Sequence, residues 1–208
     1  MSPRAAAASG ETPISAECKK LLETVRQRCP GMLPPAPVEP GTVVAAVMLK
    51  TDEAAALFPA AAALVAGSDT RGAPVLWREG DRELLVWPTR VTARFALGVI
   101  AMTIPVACDQ VGEADVHVSL VVGDPNRPAG MLAATDGRPR GPAIPVDAWG
   151  ESLVAFAWHV VVEVATNVAG EAGRDLDGSR LVPIGLSVTP DLVAVVPMAR
   201  HPFDRARG

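Results

Sequence analysis

Residues 148–168 have the pattern of a helix with very little polar surface. Its polar stripe is narrow and contains only Ser152, His159, Glu163 and Thr166. A surface helix normally carries one apolar face and one polar face, whereas a helix that is apolar around most of its circumference is buried on several sides. The rest of the chain must therefore supply apolar cover on more than one side of this helix.

Strand patterns make up most of the remaining chain. They occur at 43–49, 75–77, 84–87, 91–107, 115–122, 129–134, 181–188 and 192–196. The run 115–122 alternates cleanly between apolar and polar residues, which predicts a strand with one buried face. The run 91–107 is apolar at both alternating sets of positions, so we expect one long strand in the centre of a sheet.

A second, shorter helix is predicted at 52–66. It is rich in alanine, it follows Thr51 as a predicted N-cap, and Pro59 is expected to break or kink it. Consecutive strands with two inserted helices are typical of an α+β fold. We therefore predict a mostly antiparallel sheet with the helices on one face, in a single domain over 42–199.

The N-terminal part of the chain predicts an appended amphipathic helix. Within residues 12–29, Thr12 and Pro13 are typical of a helix start, and the helix itself is expected over 13–28. Residues 1–11 are expected to be disordered, and the Pro-rich residues 30–41 to form a semi-rigid extended linker. The apolar stripe of the helix consists of Ile14, Cys18, Leu21, Leu22 and Val25.

We expect this apolar stripe to be buried, and two surfaces are possible for it to pack against. The helix either packs back on its own domain or packs on a neighbouring subunit or another protein. The tail 200–208 carries one aromatic residue, Phe203, which offers a further contact to a neighbour. The predicted partner-binding residues are therefore Ile14, Leu21, Leu22, Val25 and Phe203.

Composition argues against several classes of partner. The chain has 19 basic and 23 acidic residues and a net charge of -4, which is unlike a nucleic-acid binder or a protein of anionic membrane surfaces. The longest uncharged apolar stretch, 95–108, is shorter than the ~20 residues that span a bilayer. The N-terminus lacks the apolar core of a signal peptide. We therefore predict a cytoplasmic protein without a membrane span.

Candidate catalytic residues are few. Cys108 follows the apolar run 91–107, and a thiol there becomes a nucleophile only if a base such as His117 lies within hydrogen-bond reach. His159 and Glu163 are four residues apart on the main helix, a spacing that allows an oriented His–carboxylate pair. The alternative interpretation of each is structural: Cys108 as a small buried residue, and His159 with Glu163 as part of a polar stripe.

Anion and metal sites have weaker support. Arg138 and Arg140, which precede Gly141, are candidates for binding an anion. The alternative is that they belong to a solvated loop without a ligand. The three cysteines lack ligand or disulfide spacing, and neither a Cys-x-x-Cys nor a His-x-x-x-His pattern occurs. We therefore predict no metal and no cofactor.

These features favour a non-enzymatic binding or assembly protein, either a homo-oligomer or a component of a larger complex. The alternative is a small cytoplasmic enzyme or ligand-binding domain that uses Cys108 with His117, or His159 with Glu163. The two hypotheses differ in geometry. A concave pocket holding two of these groups favours the enzyme, and a flat apolar patch favours assembly. The sequence names no partner, substrate or pathway.

Overall fold

The computed structural model describes residues 43–68, 72–135, 137–172 and 180–200. It confirms the α+β class. In chain order the elements are β1 (Val47–Lys50), α1 (Thr51–Ala55), α2 (Phe58–Val65), β2 (Val75–Glu79), β3 (Arg82–Val86), β4 (Thr92–Ala96), β5 (Val99–Cys108), β6 (Gly112–Val121), β7 (Ala134–Thr135), α3 (Ala143–Ala172), β8 (Arg180–Val188) and β9 (Leu192–Arg200).

Helix α3 is the centre of the packing. It contacts β5 and β6 of one sheet, β1, β8 and β9 of a second sheet, and helix α2. Its buried apolar side chains are Pro145, Val146, Trp149, Leu153, Phe156, Ala157, Val160, Val161, Val164, Ala165, Val168 and Ala169. The prediction that this helix is buried on more than one side is confirmed.

The bounds of α3 are wider than the predicted 148–168. Asp147 lies inside the helix, and the first turn contains Pro145, whose missing N–H removes no hydrogen bond at that position. By length and hydropathy α3 is also a candidate membrane span, with a mean hydropathy of 1.5 over an 18-residue window of which 50% is buried. A core helix and a spanning helix share these properties.

The larger sheet wraps one side of α3. Its order is β2-β3-β5-β6-β7, and β4 also pairs with β5. Strands β3 and β4 pair with successive parts of β5, and the 3-10 turn Pro88–Arg90 lies between them. Trp77 of β2 reaches α3, where its ring centroid lies 5.4 Å from that of Phe156 and 6.2 Å from that of Trp149.

The run 91–107 is not one strand as predicted, although its second part, β5, has the predicted central position, with β3 and β4 on one side and β6 on the other. The run divides at Gly98, which has a φ of 67°, and the turn at Leu97–Gly98 folds β4 back on β5 with Ala96 opposite Val99. Positive φ is accessible to glycine without a steric penalty, so the chain turns at this residue. Strand β4 is apolar on one face only, because Thr92 and Arg94 are exposed, whereas β5 has apolar residues on both faces except at Thr103.

The smaller sheet covers another side of α3. Its order is β1-β9-β8, and both pairs are antiparallel. The side chains on its inner face are buried: Val47, Leu49, Leu181, Leu186, Val188, Val193, Val195 and Ala199. The predicted closing hairpin is confirmed, with Thr189 Oγ1 accepting a hydrogen bond of 3.0 Å from the Leu192 N–H.

Loops of the larger sheet hydrogen-bond to the free edge of β8 and join the two sheets. The Val188 N–H donates to the Gly123 carbonyl at 2.9 Å, and the Val188 carbonyl accepts from the Gly98 N–H at 2.9 Å. The Leu186 N–H donates to the Gly130 carbonyl at 3.0 Å. A Cβ on Gly123 would lie only 2.6 Å from the Leu186 carbonyl oxygen, so this approach requires glycine.

Two other predicted elements need correction. The Ala-rich segment 52–66 forms two helices, α1 and α2, and Pro59 lies in the first turn of α2. The break expected at Pro59 is therefore confirmed. The N-cap of α1 is Lys50 and not the predicted Thr51. The predicted strand 129–134 is reduced to β7, since in the chain before it the Gly130 carbonyl instead accepts a hydrogen bond from the Leu186 N–H of β8.

The predicted N-terminal helix 13–28 lies outside the described residues. The same holds for the linker 30–41, for the partner-binding residues Ile14, Leu21, Leu22 and Val25, and for Phe203. The first described residue, Val43, forms an isolated antiparallel bridge with Met198 of β9. The chain therefore enters the fold beside the smaller sheet.

The junction at Gly123 yields a stability prediction. We expect Gly123→Ala to lower the free energy of unfolding by about 2 kcal/mol or more, because a methyl group there forces the Leu186 backbone away and breaks hydrogen bonds between the sheets. Gly170→Ala is the control, since its Cβ meets no atom within 4 Å and alanine favours the helix. Denaturant unfolding measures the free energy of unfolding of both variants. Equal changes in the two would contradict the close contact between Gly123 and the Leu186 backbone.

Candidate functional site

The β5–β6 ladder separates Cys108 from His117. Cys108 is paired with Gly112, and His117 is paired with Thr103 at the other part of the ladder. His117 therefore lies five residues along β6 from the position opposite Cys108, a distance of about 17 Å along the strand. A base at that distance does not hydrogen-bond to the thiol, so the fold does not form the predicted pair.

The two histidines occupy exposed surfaces. The His117 Nδ1 lies 3.1 Å from the Thr103 Oγ1, its cross-strand neighbour. His159 is exposed on α3, while the Glu163 Oε1 accepts a hydrogen bond of 2.9 Å from the Asn167 Nδ2. Within the described part of the chain, neither a hydrogen bond nor an ion pair joins His159 to Glu163.

The two candidate anion-binding arginines lie in the loop before α3. The Arg138 guanidinium forms an ion pair with the Asp147 carboxylate, which compensates its charge. Arg140 makes a two-way backbone bridge with His117, and its side chain is exposed. Arg138 and Asp147 line a groove of about 760 Å³ that also contains Trp158 of α3.

That groove does not assemble the predicted chemistry. None of the four candidate catalytic residues, Cys108, His117, His159 and Glu163, is among the residues that line it. Among the described residues, no group of three or more His, Cys, Asp or Glu side chains is placed to hold a metal ion. The described residues thus bring none of the predicted catalytic pairs together.

The outer face of the smaller sheet is the surface that departs most from an ordinary solvent-facing strand pattern. We use "outer face" for the outward positions of β1, β9 and β8, defined by strand alternation and register. Those whose burial the structure describes are Met48, Lys50, Leu192, Ala194, Val196, Met198, Val182, Gly185 and Ser187. Among these Lys50 is charged, and the register adds the paired outward positions Arg180 and Arg200 at the end of β8 and β9.

The apolar side chains of the outer face are accessible. Met48 is 43% exposed and Leu192 is 38% exposed, while Ala194, Val196 and Met198 are half-buried by their neighbours on the same face. The register brings them into one patch, because Met48 lies opposite Ala194 and Met198 lies opposite Val182.

The larger sheet shows what a solvated face looks like in this protein. Its outward positions mix the charged or polar residues Arg94, Thr103, Asp115, His117 and Ser119 with exposed apolar residues, which include Leu76, Ala101 and Val121. Antiparallel sheets with one wet side normally alternate in this way. The smaller sheet lacks the alternation, so its outer face has the composition of a buried surface.

The outer face is large enough to be an interaction surface. Strand β9 is roughly 27 Å long, and three strands are about 14 Å wide, so the face covers about 400 Å². Contiguous exposed apolar patches of a few hundred Å² mark sites of protein contact in soluble proteins. We therefore take the outer face as the candidate functional site.

The residues of this site were not among the sequence-based candidates. The signal was nevertheless present, because 43–49 and 192–196 are apolar at both alternating sets of positions. An apolar patch was expected on 91–107 instead, where the glycine turn and the polar outward residues of β4 remove it. Placement of the patch needed the pairing of β1 with β9, which sequence periodicity does not give.

Comparison with known proteins yields no likeness: no family model, no curated protein and no solved structure matches the chain. Function is therefore argued from the geometry of the outer face alone.

The separation of Cys108 from His117 predicts an unassisted thiol. In a Cys18→Ser, Cys29→Ser background, we expect His117→Ala to change the rate at which Cys108 reacts with an aromatic disulfide by less than twofold. A nearby base raises the thiolate fraction and accelerates this reaction. Stopped-flow absorbance measures the rate, and a fall of tenfold or more on removing His117 would contradict the ladder geometry.

Proposed function

We propose that this protein is a non-enzymatic binding or assembly protein that self-associates through the outer face of its smaller sheet. The observation that carries the proposal is the composition of that face. Six of its eleven positions hold apolar residues, at Met48, Val182, Leu192, Ala194, Val196 and Met198, and the three charged residues lie at Lys50 and at the paired positions Arg180 and Arg200. Leaving such a surface in water costs free energy in proportion to its apolar area.

The inner face of the same sheet is already occupied by α3, so the outer face is not needed for the core. The outward side of the larger sheet mixes charged and polar residues with apolar ones, whereas the centre of the outer face is almost entirely apolar. Selection for a solvated surface favours polar residues there, whereas selection for contact with another protein favours the residues observed.

An enzymatic function has no comparable support. The enzyme hypothesis requires two of the candidate groups to lie in one pocket. In the structure, Cys108 instead lies about 17 Å from His117 along the strand. Glu163 has Asn167 as its hydrogen-bond partner. The flat apolar face is the feature that favours assembly.

Val196→Lys tests the proposal. The residue points outward from β9, the middle strand of the sheet, so a lysine there remains solvated in a monomer but is desolvated in an interface. We expect the native chain to form a dimer of twice the 21.6 kDa chain mass. The variant should remain at the chain mass and still unfold cooperatively, with a melting temperature that no longer depends on protein concentration. Light scattering over a hundredfold range of concentration measures the mass.

Val121→Lys is the matched control, because Val121 is 40% exposed and points outward from the larger sheet. It should keep the native mass. A native chain that stays monomeric at every concentration would overturn the proposal. So would a folded Val196→Lys variant with the same mass as the native chain.

A further inference from the structure

We propose that the occupant of the outer face is the segment 12–29 of a second copy of this chain. In this arrangement two subunits exchange their N-terminal segments reciprocally. The inference rests on the proposed self-association and adds to it the element that makes the contact. It combines the apolar face described above with the amphipathic pattern predicted for 12–29, whose stripe is otherwise without a surface.

The predicted segment and the face match in size. A helix over 12–29 is about 27 Å long, and strand β9 is roughly 27 Å long. A helix is about 10–12 Å across with its side chains, and the three strands are about 14 Å wide. One helix laid along β9 therefore covers most of the outer face, with Ile14, Leu21, Leu22 and Val25 available to contact it.

The position of Val43 favours exchange between copies. Val43 pairs antiparallel with Met198, so the chain joins the smaller sheet at the Met198 end of the outer face. An extended chain continued backwards from Val43 along the line of β1 leaves the sheet past Met198, away from Leu192. To dock on its own face, the segment would have to reverse direction within the linker.

The linker composition favours extended chain in its middle part. Residues 34–40 contain Pro34, Pro35, Pro37 and Pro40, and proline fixes φ and favours extended chain, while the Pro-Gly pairs 30–31 and 40–41 are typical of turns. At ~3.1 Å per residue an extended linker spans roughly 37 Å, which is longer than the face. That length is sufficient to place the segment on the equivalent face of a two-fold related copy.

The area of the face also requires an added element. Direct contact between two outer faces covers only about 400 Å² per subunit, whereas a stable dimer needs about 800 Å² per partner. Exchange provides two helix-on-sheet contacts in each dimer. Each subunit then contributes both a segment and a face, which brings the buried area into the range of stable dimers.

Cross-linking the full chain distinguishes the possible occupants. Cys18 lies on the predicted stripe, so a Cys29→Ser, Cys108→Ser background keeps it as the only thiol. Ala194→Cys then adds a second thiol in the middle of the outer face, and a short bismaleimide joins thiols that lie close together. Ser119→Cys, outward on the larger sheet, is the matched control, and the chain with Cys18 alone gives the background.

We expect the Ala194→Cys chain to yield mainly covalent dimer on a denaturing gel, well above both controls. A product at the mass of one chain with both thiols consumed would overturn exchange between copies. A yield no higher than the controls would overturn segment 12–29 as the occupant. Neither of these results would by itself contradict self-association through the outer face.

Two variants of the segment test the same inference without cross-linking. Leu22→Asp places a carboxylate in the predicted stripe and should weaken dimerisation by about a hundredfold or more. Ala16→Asp adds the same charge on the opposite side of the predicted helix and should leave the dimer intact. If Val196→Lys dissociates the dimer and Leu22→Asp does not, the segment is overturned as the occupant while the proposed function stands.

Discussion

Burial of helix α3 is the interaction on which the rest of this structure depends. The helix has apolar side chains around most of its circumference, and each large side chain that it buries contributes roughly 1.5–3 kcal/mol. A single sheet covers only one side of such a helix. The larger sheet, the smaller sheet and α2 together supply the remaining cover. Two sheets are thus present because burial of α3 requires apolar surfaces on more than one of its sides.

In that arrangement the inner faces of both sheets are buried against α3, and their outer faces are available to contact water or other proteins. The two outer faces differ in composition. Arg94, Asp115 and His117 lie outward on the larger sheet, while Met48, Leu192 and Val196 lie outward on the smaller one. Helix α3 accounts for the buried faces and gives no reason for the apolar outer face. A second apolar partner is the simplest physical account of it.

Much of the fold was accessible from the sequence because it depends on local pattern. The period of 3.6 identified α3, and alternation identified β6 with Val116 and Val118 inward. The turns at Gly80 and at Thr189–Asp191 followed from residue type. Each of these features is decided by neighbours along the chain.

The features that the sequence did not reveal depend on contacts between distant residues. The run 91–107 looked like one strand because its composition is uniform, and only the pairing of β4 with β5 makes Gly98 a turn. The junction of the two sheets depends on hydrogen bonds between β8 and the loops at Gly98, Gly123 and Gly130. The candidate site arises from the pairing of β1 with β9, whose segments are far apart in the chain.

The central claim is that the outer face of the smaller sheet is covered when the 208-residue chain is in solution. Met48 and Met198 both lie on that face, while Met102 is buried in the core with 1% exposure. The most direct measurement is NMR of ¹³C-methyl-labelled methionines with a soluble paramagnetic agent. The account predicts that the Met48 and Met198 methyl signals broaden as slowly as that of Met102. Rapid broadening of both signals, with Met102 protected, would contradict it.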